Sequence, residues 1–474
     1  MKKPHPLFLC VLLLCVPVRF VSPLDEPPDE HEASRRGAGE TILSGIFATA
    51  EIMASNAVAM SFNHFILHSH WALPTAESIR KNFSEPWEWE ETDGFKVNNI
   101  GHPIQGSVYF SAGRANGFNF YESLFFSSLG SFTWEVFSEG QTAAVNDFIL
   151  ASLGGLSMGE ILYRLYLEAC AAGVPAPITL LFNPAATVQQ LITRKKPMDS
   201  GGNLRLLQFN LGMGYAQTDY FASNGIQNKD VFAFRGFIGD VGVAAIYGDP
   251  FIQNSRIPFE HFEFAMSFGL NPADYIDIRT VSDGYLFSFS PVHTGTDMMS
   301  TGLTLHFDFV SLGKLDIFDS TIDQFSNALD WTIKYQHLFS GNTAFQTKFH
   351  AGVTFFGVSE YYSPGVIYAR DDLKNYGGGL NSKLFVNLEH TKLGKLNTGI
   401  LGYVLWTYPG TSALSEGTVF WLFVDAAWSY RISKYFSVGI SDHLALEWGL
   451  FRKSGFYDSQ KINNAVKLFV ALNL

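Results

Sequence analysis

The residues best suited to chemistry lie between Asn99 and Arg164. His102 stands with Glu135, Glu139 and Asp147, the residue types of a general acid-base or metal-assisted site. His102, Gly106 and Tyr109 share one helical face at spacings of four and three, and the glycine lets a second backbone approach closely. Ser131, Glu135 and Glu139 form a stripe at i, i+4, i+8 on a helix otherwise rich in phenylalanine. If that helix is buried, the two carboxylates share a low-dielectric setting, which should raise one pKa. Asp147, ahead of a short apolar run, reads as a helix cap. Glu160 and Arg164, four apart, read as an intrahelical ion pair, and Arg114 is a further cation of the cluster. Gly155 and Gly159 make a small-residue step for close helix packing.

No recognised catalytic signature accompanies these residues. Paired Cys-x-x-Cys, His-Glu-x-x-His, Gly-x-Ser-x-Gly and phosphate- or dinucleotide-binding glycine patterns do not occur. The expectation is therefore no cofactor and no metal, with the polar cluster (His102, Arg114, Glu135, Glu139, Asp147, Glu160, Arg164) serving as a buried hydrogen-bond and ion-pair network. The competing expectation is a lipid- or envelope-modifying enzyme using His102, Glu135, Glu139 and Asp147.

The cluster resembles domain-of-unknown-function family 3943 of bacterial envelope proteins. The resemblance rests on Asn99, His102-Pro103, Gly106 and Tyr109-Phe110, then Arg114 and Gly117-Phe118. It continues through Ser131, Trp134-Glu135, Glu139, Asn146-Asp147, Gly154-Gly155, Gly159-Glu160 and Tyr163-Arg164. It covers roughly residues 85–170 and implies an envelope protein, but no activity.

Several elements must position these groups. The helical pattern predicts helices over Thr41–Leu67, from about Thr75, and over Asn98–Arg114, Phe118–Phe137 and Leu156–Ala171. The first is long enough to cross a bilayer, but Glu51, Asn56, Asn63 and His64 interrupt it, so a packed amphipathic helix is expected. After residue 200 the period changes to two. Leu303, Leu305, Phe307 and Phe309 oppose Thr304, His306 and Asp308, while Leu329, Trp331 and Ile333 oppose Asp330, Thr332 and Lys334. The same alternation runs through Leu207–Met213, Phe262–Phe268 and Lys383–Glu389, and again through Ala465–Leu474, which resembles the terminal assembly signal of outer-membrane barrels but ends in Leu474 instead of an aromatic residue.

Composition agrees with a lipid-facing sheet. Charged residues make up only 16% and aromatics 15%, with 44 phenylalanines, an excess that a wholly water-facing surface would not carry. The run Val419–Phe423 is assigned to an interfacial aromatic girdle. At about 20 residues per strand and connection, residues 201–474 supply about 12–14 strands, and twelve is expected. The formal net charge of -12 argues against a nucleic-acid partner. Residues 1–22 read as a signal peptide and 23–40 as a disordered acidic linker. Cys10 and Cys15 fall in the leader, leaving Cys170 without an intramolecular partner.

The fold class expected is α+β: a helical domain over 41–195, then an antiparallel transmembrane β-barrel over 201–474. The corresponding function is an outer-membrane protein with a structural or transport-related role, its helical domain periplasmic or in the barrel lumen. Membrane lipid and the outer-membrane assembly machinery are its expected partners.

Overall fold

The computed structural model describes residues 37–89, 94–194, 202–223, 228–252, 254–272, 275–313, 322–339, 342–360, 374–409, 416–451 and 458–474. The leader and most of the linker lie outside the described residues. The chain divides into two compact units, one helical and ending at Gly202, the other comprising Gly94–Lys96 and Asn203–Leu474.

The helical unit contains α1 (Ala38–Phe65), α2 (Ala76–Ser84), α3 (His102–Ala115), α4 (Phe120–Phe137), α5 (Val145–Ile149), α6 (Gly155–Ala171), α7 (Ala176–Phe182) and α8 (Pro184–Thr193). Wide π turns precede α3 and α6, over Val97–Gly101 and Leu150–Gly154. Local chemistry sets the starts: Thr75 and Ser78 form a reciprocal capping box on α2, as do Asn119 and Glu122 on α4. Helix α1 begins at Ala38, so the linker expected to run to residue 40 ends earlier.

Helix α1 also corrects the expectation of a packed amphipathic helix. Its buried positions are Ala48, Ile52 and Asn56, while Ile42, Leu43, Ile46, Phe47, Val58, Phe62 and Phe65 are exposed. Ala48 and Ile52 pack against Tyr109, Ala112 and Phe126, and Asn56 continues their stripe: its amide donates to the Thr133 hydroxyl at 3.1 Å and accepts from the Tyr109 hydroxyl. Two helical stretches are long and apolar enough to cross a membrane, Ala38–Phe65 and Val145–Ala171.

The second unit is a closed antiparallel barrel of twelve strands, as expected, each paired with its sequence neighbours and β12 with β1. In order they are β1 (Leu204–Ser223), β2 (Asn228–Tyr247), β3 (Phe262–Asn271), β4 (Tyr275–His293), β5 (Asp297–Gly313) and β6 (Ile322–Phe339), then β7 (Thr343–Glu360), β8 (Lys374–His390), β9 (Gly394–Thr407), β10 (Gly417–Arg431), β11 (Phe436–Phe451) and β12 (Asp458–Asn473). The closing register runs from Gln208 opposite Asn473 to Ser223 opposite Asp458, so no strand edge remains there.

Alternation sorts the side chains. Leu211, Met213, Phe237, Val241, Trp331, Leu468 and Val470 are exposed on the outer face, whereas Lys461 and Lys467 are buried in the lumen. A one-residue slip would turn such a lysine outward and break its lumenal ion pairs, which holds the register.

Two regions depart from the simple pattern. Trp421 and Phe423 of β10 point inward and pack with Leu401, Tyr403, Leu405, Val419, Val310 and Leu312, so Val419–Phe423 is not a girdle. The run is apolar on both faces, which removes the alternation that would have shown its direction. Phe307, Phe325, Phe356 and Tyr376 are almost fully buried and joined ring to ring, and Phe95 packs on the buried Phe309 with ring centroids 5.6 Å apart.

Candidate functional site

The residues singled out in the helical unit form three linked groups. Helices α3 and α6 approach so closely that a Cβ on Gly106 would lie 1.8 Å from the Ala151 carbonyl oxygen, and one on Gly155 would strike the Gly106 backbone. The Ser127 hydroxyl of α4 donates into this crossing, 3.1 Å from both the Gly106 and Ala151 carbonyls. This contact presents the polar side chains of α3, α5 and α6 to one another.

In the first group, Glu160 of α6 is fully buried between two arginines. Arg114 Nε lies 3.0 Å from one carboxylate oxygen and Arg164 Nε 2.9 Å from the other. The i, i+4 pair read from sequence therefore exists, with Arg114 as its third member. Arg114 also donates to the Phe118 carbonyl at 3.0 Å and lies over the Tyr163 ring. A carboxylate clamped by two guanidiniums is a structural tie, because its charge is already compensated.

In the second group, His102 Nε2 lies 3.4 Å from Asp147 Oδ1, and the Asn146 amide donates to the same oxygen at 2.7 Å. Asp147 is the third residue of α5, whose N-cap is Ala144, so it is not the cap expected. The short helix instead turns the carboxylate inward onto His102. A histidine held by a carboxylate has the parts of a general base, but the His102 side chain is only 8% exposed and Asp147 is fully buried.

In the third group, Glu135 accepts from the Ala144 amide at 2.9 Å and so fixes the segment entering α5. Burial chiefly holds the Tyr109 phenol well above its usual pKa, and the charges of Glu135 and Glu139 push it the same way. Both carboxylates are buried, at 1% and 5% exposure.

The barrel lumen holds a second set of charged residues. Lys348 donates to Asp283 and to Glu263 at 2.7 Å each, and Lys334 to Glu263 at 2.7 Å, tying β6 and β7 to β3 and β4. Lys467 lies 2.8 Å from Asp240 and 3.1 Å from Asp277, whose other oxygen accepts from Arg279 Nε at 2.8 Å. Lys383 pairs with Asp308, which also accepts from the Tyr403 hydroxyl at 3.0 Å. The apolar cluster around Trp421 lies next to this layer through Tyr403. A cavity of about 570 Å³ occupies the end where β1 begins and β12 finishes, with Asn210, Asp240, Arg279, Asp425, His443 and Lys467 in its wall.

Sequence reasoning placed His306, Asp308, Asp330, Lys334 and Lys383 on polar strand faces but did not identify them as a site. The available signal was charge recurring on the inner face of successive strands, because a charge buried inside a closed barrel needs a partner within the lumen.

Residues 86–174 match the family described as a domain of unknown function, DUF3943. No curated protein matches the sequence. Among solved structures, the chain is similar to an outer-membrane channel of Pseudomonas putida F1, with 10% identity, a TM-score of 0.30, and 59% of this chain and 100% of that chain covered. It is also similar to the Pseudomonas putida toluene transporter TodX, with 10% identity, a TM-score of 0.22, and coverage of 57% and 89%. For the NanC porin the values are 8%, 0.24, 55% and 100%.

Proposed function

We propose that this protein is an integral outer-membrane barrel with a transport-related role, which holds a small solute in its lumenal cavity and keeps the opposite end of the lumen shut. The observation that carries this reading is the inverted distribution of the barrel: aliphatic and aromatic side chains stand exposed outside, and charged ones are buried and paired inside. Lipid is then the partner of the outer face, and β12 is the segment presented to the assembly machinery. The cavity of about 570 Å³ lies within the size range of small-molecule sites. Its wall mixes both signs of charge with apolar groups, which suits a zwitterionic or amphiphilic solute. The Trp421 cluster is the proposed closure. The helical unit works on the periplasmic side in this reading, with its polar groups serving its own packing.

Membrane fractionation and solute flux test the proposal. The protein should fractionate with the outer membrane and migrate faster on gels before heating than after. Proteoliposomes carrying a Trp421→Ala/Phe423→Ala variant should swell faster in small solutes than those carrying the native protein. Recovery in the inner membrane would remove the location, and unchanged swelling by a heat-modifiable double variant would remove the transport role.

A further inference from the structure

We infer that His306, Asp330 and His350 form a binding site for one transition-metal dication in the barrel wall. The three residues come from the adjacent strands β5, β6 and β7, and one ligand atom from each lies within 4.8 Å of the other two. All three side chains are buried, at 1%, 0% and 0% exposure. Register brings them together: Asp330 stands opposite Thr304 on β5 and opposite Gly352 on β7, while His350 stands opposite Thr332. Gly352 matters, because a Cβ there would lie 2.4 Å from the Asp330 carboxylate.

His350 Nε2 and Asp330 Oδ2 are buried without a hydrogen bond among the described residues, and His306 Nε2 and the Lys383 ammonium approach Asp330 Oδ2 only to 3.3 and 3.9 Å; a metal ion would satisfy both atoms. The opposite atoms are already held in the way metal ligands usually are. The Thr332 hydroxyl lies 2.6 Å from His350 Nδ1, and the Asn381 amide donates to Asp330 Oδ1 at 2.9 Å. His306 Nε2 lies 3.3 Å from Asp330 Oδ2 and 2.9 Å from the Thr304 hydroxyl. Two imidazoles and one carboxylate suit Zn²⁺, Co²⁺ or a neighbouring first-row ion, with water in the remaining position.

One cation flanks the site: the Lys383 ammonium lies 2.8 Å from His306 Nδ1 and 3.9 Å from Asp330. The other charged groups acting on the site are Asp308 on β5, Asp283 on β4, Lys348 on β7, Glu263 on β3 and Lys334 on β6. The site stands whether or not the barrel transports a solute.

The test uses the full-length protein in detergent, stripped with a chelator and titrated with Co²⁺ and Zn²⁺. One ion per chain and d–d absorption from bound Co²⁺ are expected. His350→Gln and Asp330→Asn should each weaken binding by at least about tenfold while keeping heat-modifiable migration. Lys383→Gln should tighten binding, since the competing ammonium is gone. Absence of binding, or binding of equal strength in His350→Gln and Asp330→Asn, would overturn the site.

Discussion

The helical unit and the barrel both bury charge, but they compensate it over different distances along the chain. In the helical unit, Glu160 and Arg164 are four residues apart on one helix, and Asn146 holds the carboxylate of its immediate neighbour. In the barrel, Lys348 reaches Asp283 over 65 residues and Lys467 reaches Asp240 over 227. Helical pairing is set largely within a turn and needs one tertiary contact to complete it, as Arg114 does for Glu160. Apart from Arg279 and Asp277, neighbours on one strand, the lumenal pairs named above join different strands and form only when the sheet has its register and its closure.

The sharpest way to break this comparison is at the helix crossing. Gly106→Val places side-chain atoms in the Ala151 carbonyl and should cost more than about 4–5 kcal/mol, the extreme tail for one substitution. Protease resistance of the helical unit should vanish while heat-modifiable migration of the barrel persists. Loss of both would mean that the two regions do not fold separately. Next in size, Glu160→Ala leaves Arg114 and Arg164 buried without their anion and should destabilise the helical unit by about 3–5 kcal/mol, read as an earlier urea midpoint for its near-ultraviolet signal. Lys348→Met, which strands Asp283 and leaves Glu263 with Lys334 alone, should cost the barrel a comparable amount and leave the helical midpoint unchanged. Equal shifts of both midpoints by either variant would erase the distinction. The smallest effect is expected at Arg235, whose pair with Asp219 is exposed; Arg235→Ala should move barrel stability by less than about 1 kcal/mol.

The same difference decided how much could be read from the chain. Helix starts at Thr75 and Asn119 follow from capping chemistry held in four residues. Strand faces at Thr301–Phe309 and Ala465–Leu474 follow from a period of two, and strand number follows from length. Direction failed where both faces are apolar, at Val419–Phe423, because alternation alone distinguishes lumen from exterior. Asp147 was read as a cap because the sequence does not show that His102 lies across from it. Helix α1 reads as a packed amphipathic helix, whereas it packs only through the narrow stripe Ala48, Ile52 and Asn56 and leaves its larger apolar residues exposed. His306, Asp330 and His350 form no spaced motif, and only the registers of β5, β6 and β7 bring them to one point.

The pairing of β1 with β12 carries one more consequence. Gln208 meets Asn473 across a gap of 265 residues, and every intervening strand must be in place before that contact can form. A nascent chain leaving the ribosome cannot complete this ring while its tail is still being made. The barrel therefore closes only after its last strand has been made.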